Sequence, residues 1–188
     1  MDLQIINFSN KNNNIKKIYL CKDHKGTNTM PAIKWNKVSN AQSYAIVFED
    51  LNAKTNKGCN FIHLYIKYIN KTINSIDKLK FDNKTIDILT NKLSSKNIIF
   101  GKNHKGFYGY FGPCNPHNYI HKYVFHIYAL NNIINDNDDT ICSSSIFEDK
   151  YKNYIINKDS KKFNYIQKIN KQNKQNEQKN KEKISILS

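Results

Sequence analysis

The sequence predicts a mainly β fold, a β-sandwich with helices packed at its periphery near the C-terminus. Three observations point there. The runs "YAIVFED" (44–50), "FIHLYIKYI" (61–69) and "KYVFHIYAL" (122–130) are rich in β-branched and aromatic residues, the composition of buried or half-buried strands. A helical pattern appears only after them, in "SIFEDKYKNYIINK" (145–158). Strands first and helix last suit a sheet-on-sheet fold better than alternating βαβ units.

Between the second and third runs, residues 69–100 are polar with scattered apolar positions, which predicts a short edge strand and a long loop. In the helical segment, Ile146, Tyr151, Tyr154 and Ile155 share a face, with Ser145 as N-cap and Glu148 three residues on. A second short element is expected at 160–168. From Asn170 the chain reads "NKQNKQNEQKNKEKISILS", a polar low-complexity stretch with too little apolar surface to offset its ordering entropy. The expected organisation is one domain over residues 1–168 and a disordered tail over 169–188.

Apolar residues make up 39% of the 188, enough for one core when twelve Tyr and ten Phe contribute to it. No apolar run approaches the roughly 18 residues of a membrane span. The opening "MDLQIINFSNKNNN" lacks the basic-then-apolar order of a signal peptide, so a soluble, cytoplasmic protein is expected. Cys21, Cys59, Cys114 and Cys142 lie far apart with no CxxC pair, and in the cytosol such cysteines are expected to be reduced, buried or incidental. The net charge of +15 invites a nucleic-acid reading, but every one of the 30 basic residues is Lys. Arg supplies the planar fork that phosphate and guanine recognition favours, whereas Lys is a hydrated point charge. The charge therefore reads as a solvated surface, and no nucleic-acid partner is expected.

Strand alternation places the candidate functional residues. His121 and Tyr123 share a face, His63 projects opposite Ile62, Leu64 and Ile66, and Asp50 ends a strand at the edge of a loop. Three chemistries are open to them. Cys114, His117 and His121, with Cys59 and His63 upstream, include zinc-ligand types, but the spacing follows no established zinc pattern and Pro113 and Pro116 bar a helix. Cys114 beside His117 or His121 has the elements of a Cys–His nucleophile, yet nothing marks an oxyanion hole. His63, His121 and Tyr123 are hydrogen-bond donors, and glycines at 109 and 112 let backbone N–H groups approach a ligand, which suits a small anion such as a phosphate ester. The alternative, histidines satisfied within a core, stays open on these residues alone.

Five motifs in order carry a family likeness. "NTMPAIKW" (28–35) is similar to an N-x-S-P-x-L-x-W entry strand, and "FEDLNAK" (48–54) to a D-P-D-A-P loop. "FIHLYI" (61–66) matches a histidine-bearing strand, "GKNHKGFYGYFGPCNP" (101–116) a G-x-N-x-x-G…G-Y-x-G-P-C-P-P run, and "HKYVFHIYAL" (121–130) an H-R-Y-x-F-x-x-Y-A-L strand. In these the chain resembles the phosphatidylethanolamine-binding proteins, also called Raf-kinase-inhibitor-like proteins, and especially their compact bacterial type. The resemblance implies a Greek-key β-sandwich with a small anion pocket at a sheet edge, formed by Asp50, His63, Gly112, Pro113, His121 and Tyr123. It implies a non-enzymatic binding or regulatory protein that takes a phosphate-bearing small molecule, a phospholipid head group or a phosphopeptide. The alternative is a protein-interaction regulator, a kinase or serine-protease inhibitor whose pocket is vestigial; peripheral membrane contact at most and no cofactor or metal complete the expectation. In that frame Cys114 is a packing residue, and His117 falls in a loop where the family has no fixed histidine. Leu51 and Lys54 stand where the family has prolines, Asn52 replaces a second aspartate, and Lys122 an arginine. If the histidines bind an anion in their charged form, affinity falls as pH rises through ~6.5.

Overall fold

The computed structural model describes residues 1–81, 97–116 and 118–166. The tail and residues 82–96 of the 69–100 connection lie outside these residues. Among the described residues the strands are β1 (Leu3–Ile6), β2 (Thr29–Met30), β3 (Ala32–Trp35), β4 (Ser43–Lys54), β5 (Asn60–Asn70), β6 (Ser75–Ile76), β7 (Leu79–Lys80), β8 (Ile98–Phe100), β9 (Ile120–Leu130) and β10 (Ile155–Ile166), with one α-helix, α1 (Ser144–Lys150). The chain is mainly β, as the three apolar runs predict.

A five-stranded antiparallel sheet, in the order β10-β9-β4-β5-β8, forms the centre. The β4–β5 hairpin is local, whereas β9 returns to the far side of β4, the Greek-key type of crossover. Both faces of this sheet are buried, because alternate residues of β4 face opposite ways. Tyr44, Ile46 and Phe48 join Leu64, Ile66, Phe125 and Ile127 against Leu3, Ile33, Trp35 and Ile76 of a three-stranded sheet ordered β1-β3-β6. Ala45, Val47, Tyr128 and Leu130 instead pack on Phe147 and Tyr151 at α1. Aromatic rings dominate the first layer: Phe48 stacks on Phe125 at 3.9 Å, and Phe8 meets Phe48, Phe125 and Phe163 edge-on.

The expected helix over 145–158 is a helix only to Lys150. Its N-cap is Ser143, whose hydroxyl accepts from the Ile146 N–H at 3.2 Å, two residues before the expected Ser145. Beyond the turn at 151–154 the chain pairs with β9 from Ile155↔Leu130 to Ile166↔Ile120. The free edge of β9 outbids local propensity here. The period also changes from helical to two, since Phe163 and Tyr165 are buried while Lys162 and Asn164 are exposed.

The cysteines depart from the sequence expectation altogether. Cys21 is bonded to Cys114 and Cys59 to Cys142, across separations of 93 and 83 residues. Pairings this distant depend on tertiary proximity, which no local spacing encodes. Such bonds belong to oxidising surroundings, so the expectation of reduced thiols is replaced. Among the described residues no helix is long and apolar enough to cross a membrane.

Helix α1 is tied to the sheet by one buried carboxylate. Glu49 is 1% exposed, and its oxygens accept from the Ser144 hydroxyl (2.5 Å), the Ser144 N–H (3.1 Å) and the Asn60 amide (2.9 Å), with His126 Nε2 at 3.2 Å. Burial pushes its pKa up, but the hydrogen bonds from His126, Ser144 and Asn60 outweigh that and hold it at about 2. A carboxylate held this low contributes stability in full above its unfolded value of 4.5 and loses it as pH falls through about 2. Glu49→Gln is expected to lower stability by roughly 1–3 kcal/mol at neutral pH. The gap from wild type should narrow below pH 4.5 in urea-unfolding curves; a constant gap would remove the carboxylate from this role.

Candidate functional site

Asp50, His63 and His121 converge at one end of the central sheet because register brings them there. Strand β9 runs alongside β4 to Asp50↔Tyr123, and β5 reaches the same level at Asp50↔Phe61. Between Phe48↔Leu64 and Glu49↔Ile62, β5 holds one residue more than β4, and that residue is His63. The bulge turns the His63 ring onto the face of Leu64 instead of the opposite face expected from simple alternation. There it meets Phe48 and Tyr123, each at 5.4 Å, and Phe61 at 4.8 Å. The displaced backbone clamps the 101–111 loop: Ile62 N–H donates to His104 Nδ1 (2.9 Å), His104 N–H to the Ile62 carbonyl (3.0 Å), and Phe111 N–H to the His63 carbonyl (2.8 Å).

The pocket so formed has a volume of about 240 Å³ and is lined by Asp50, His63 and His121 with Asp23, Ala53, Phe61, Lys105, Phe111, Cys114, Asn115 and Pro116. Asp50 is 2% exposed. Its Oδ2 accepts from His121 Nδ1–H at 2.6 Å, and its Oδ1 from the N–H groups of Asn52 (2.8 Å) and Ala53 (3.2 Å). Those last two bonds fix the loop where the resemblance leads one to expect prolines, and no peptide bond among the described residues is cis. Asn52 adds a strap of its own, its side-chain oxygen accepting from the Lys122 N–H at 2.8 Å.

His63 presents a lone pair to its surroundings. Desolvation by burial pulls its pKa down to about 4, against the Phe111 hydrogen bond and the Asp50 charge, so the ring is neutral near pH 7. Its Nδ1 lies 2.7 Å from the Phe111 carbonyl, which can only accept; the proton is therefore on Nδ1 and Nε2 is an acceptor. Asn115 is also an acceptor in excess: its amide nitrogen donates to the Tyr119 carbonyl (2.6 Å), while its buried Oδ1 has no partner among the described residues. Lys105 supplies the cation of the pocket, its ammonium 5.3 Å from the Phe111 ring centre.

Three expected site residues stand behind the lining. Tyr123 is fully buried, its hydroxyl unpartnered among the described residues, and desolvation followed by the Asp50 charge raises its pKa. Gly112 is shaped by chain packing, since a Cβ there would lie 2.5 Å from the Tyr19 oxygen and the Leu20 carbonyl carbon. Its N–H donates to Asn28 Oδ1 (2.6 Å), and the Pro113 carbonyl accepts from Cys21 N–H (3.1 Å). Sequence reasoning missed Asp23, Lys105 and Asn115. Lys105 and Asn115 sit inside the 101–116 motif run and were open to notice, whereas Asp23 lies far off in sequence. The metal set considered from sequence does not assemble: Cys59 and Cys114 are in separate disulfides, and His117 lies outside the described residues. A larger surface hollow of about 420 Å³ at 132–136 and 150–154 holds Asp136 and Lys150, which pair with each other at 2.8 Å.

The family model for phosphatidylethanolamine-binding protein matches residues 7–179. The chain belongs to the phosphatidylethanolamine-binding protein family. Its fold is similar to the crystal structure of a family homologue, CT736, from Chlamydia trachomatis, with a TM-score of 0.65, 20% identity and coverage of 87% of this chain and 95% of that one. It is also similar to YbcL of E. coli, described as a new member of the mammalian family, with a TM-score of 0.69, 18% identity and coverage of 87% and 96%. No curated protein sequence matches it. At these identities the likeness speaks for the fold.

Neutral burial of His63 has a measurable signature. The unfolded chain takes up a proton at this ring from pH 6.5 downward while the folded chain resists it to about 4. Stability from this group is therefore complete above 6.5 and lost as pH falls toward 4, by on the order of 3 kcal/mol. His63→Gln is expected to flatten the stability slope between pH 6.5 and 4, and an unchanged slope would assign it to other groups.

Proposed function

We propose that the protein binds, without turning over, a phosphate ester that carries a primary ammonium, the chemistry of an ethanolamine head group. The observation that carries this is the acceptor character of one small pocket: the His63 Nε2 lone pair, the orphan Asn115 Oδ1, and the negative charge of Asp50 and Asp23. Such a lining penalises a bare anion and rewards a ligand with N–H or O–H donors, because its carboxylates repel negative charge and an unmatched buried acceptor such as Asn115 Oδ1 costs about 1–3 kcal/mol. An ammonium supplies three donors, and a hydrogen-phosphate supplies one to His63. Lys105 and the Asp50-oriented His121 then serve the phosphate oxygens. Family membership supports a phospholipid-type ligand, and Tyr119 and Ile120, 67% and 59% exposed immediately before His121, give the region an apolar edge suited to acyl chains.

Calorimetric titration with phosphorylethanolamine, inorganic phosphate and ethanolamine, beside vesicles with and without phosphatidylethanolamine, tests the reading. Phosphorylethanolamine is expected to bind more tightly than either half, and vesicle binding to require the ethanolamine lipid if the head group comes from a membrane. His121→Ala should weaken binding about tenfold or more, and Lys105→Ala only a few-fold because its ammonium is exposed. Because His63 stays neutral above its pKa of about 4, His63→Gln should lower affinity without altering its pH dependence between pH 5.5 and 8. Unchanged affinity in a His63→Ala, His121→Ala double variant would overturn the assignment.

A further inference from the structure

The Cys21–Cys114 disulfide occupies a place built for more than a covalent tie. Cys21 opens the short helical turn Lys22–His24, so Cys21 and His24 fall on one turn of chain. The two sulfurs and a ring nitrogen of His24 all lie within 4.8 Å of one another, and the Asp23 carboxylate stands 3.9 Å from Cys114 Sγ. The Tyr165 hydroxyl meets His24 Nδ1 at 3.2 Å, the kind of outer hydrogen bond that orients metal-binding imidazoles. Two sulfurs and an imidazole supply three converging donors of the types zinc takes in tetrahedral sites, and the Asp23 carboxylate beside Cys114 is within reach of the fourth position.

The two segments carrying these groups are joined independently of the disulfide. Tyr110 OH donates to the Tyr19 carbonyl (2.7 Å), Cys21 N–H to the Pro113 carbonyl (3.1 Å), and Asn28 bridges the Tyr110 carbonyl (3.1 Å) and the Gly112 N–H (2.6 Å). Opening the S–S bond therefore leaves Cys21 and Cys114 facing each other, a pre-organised dithiol next to His24. We infer that this cluster is a redox-gated zinc site, blocked when Cys21 and Cys114 are joined and formed when they are reduced. A dithiol reductant gives up two electrons and two protons, converting the disulfide to two thiols while itself becoming a disulfide. The thiols then bind Zn²⁺ as thiolates, releasing two protons to solvent, with His24 and Asp23 as the remaining ligands. Asp23 and Cys114 also line the pocket described above, so metal loading withdraws Asp23 from it.

The test uses the full chain carrying Cys59→Ser and Cys142→Ser, so that one cysteine pair remains. A phosphine reductant opens the bond, becoming its oxide with oxygen from water, and cobalt(II) reports on coordination. The reduced protein is expected to take one Co²⁺ per chain, with thiolate charge-transfer and tetrahedral d–d bands that zinc abolishes, while the oxidised protein shows neither band. His24→Ala should weaken uptake at least about tenfold, and Cys21→Ser or Cys114→Ser should remove the charge-transfer band of the full site. A reduced chain with native far-UV circular dichroism and no band overturns the proposal. So do bands indifferent to His24→Ala, or a reduced chain that unfolds and is not restored by zinc.

Discussion

Strand β4 is paired on both sides, to β5 and β9, and its end sends three consecutive side chains to three different tasks. Phe48 enters the aromatic layer against Phe125, Glu49 turns the other way to hold the start of α1, and Asp50 reaches the loop and orients His121. Strand alternation separates Glu49 from its neighbours, and the two long ladders keep all three backbone positions fixed. Two buried carboxylates one residue apart are tolerable only because each is saturated with hydrogen bonds on its own side of the sheet. Core, helix and pocket are thus consequences of one doubly paired strand.

The bulge at His63 shows how a single extra residue changes chemistry. Regular alternation would send that ring toward the α1 face, near Glu49 and His126. One inserted position instead wedges it among Phe48, Phe61, Phe111 and Tyr123. Loss of hydration there makes it a neutral acceptor instead of a cationic donor.

The central strands were legible because their side chains are buried on both faces, and such runs carry β-branched and aromatic residues whatever their partners. Asp50, His63 and His121 were legible through ordered motifs, and the structure brings them to one pocket. Other features were hidden for identifiable reasons. The Ile155–Ile166 strand owes its form to the open edge of β9, so its own sequence reads equally as a helix continuation. Gly112 looks like a ligand-facing glycine, but the chain at 19–21, distant in sequence, presses on it. The cysteine pairs are likewise products of the completed fold.

The position of β10 carries a further consequence. Its outward row of Lys158, Ser160, Lys162 and Asn164 is exposed, so the outer rim of the sheet is polar and lysine-bearing. Beneath it, β9 is an eleven-residue strand with Val124, Phe125, Ile127, Tyr128, Ala129 and Leu130 all buried. A chain cut short before residue 155 would bare that strand along its length, presenting an unpaired apolar template of the kind that seeds fibres. The lysine-bearing β10 is in this sense a sheath over the buried strand beneath it.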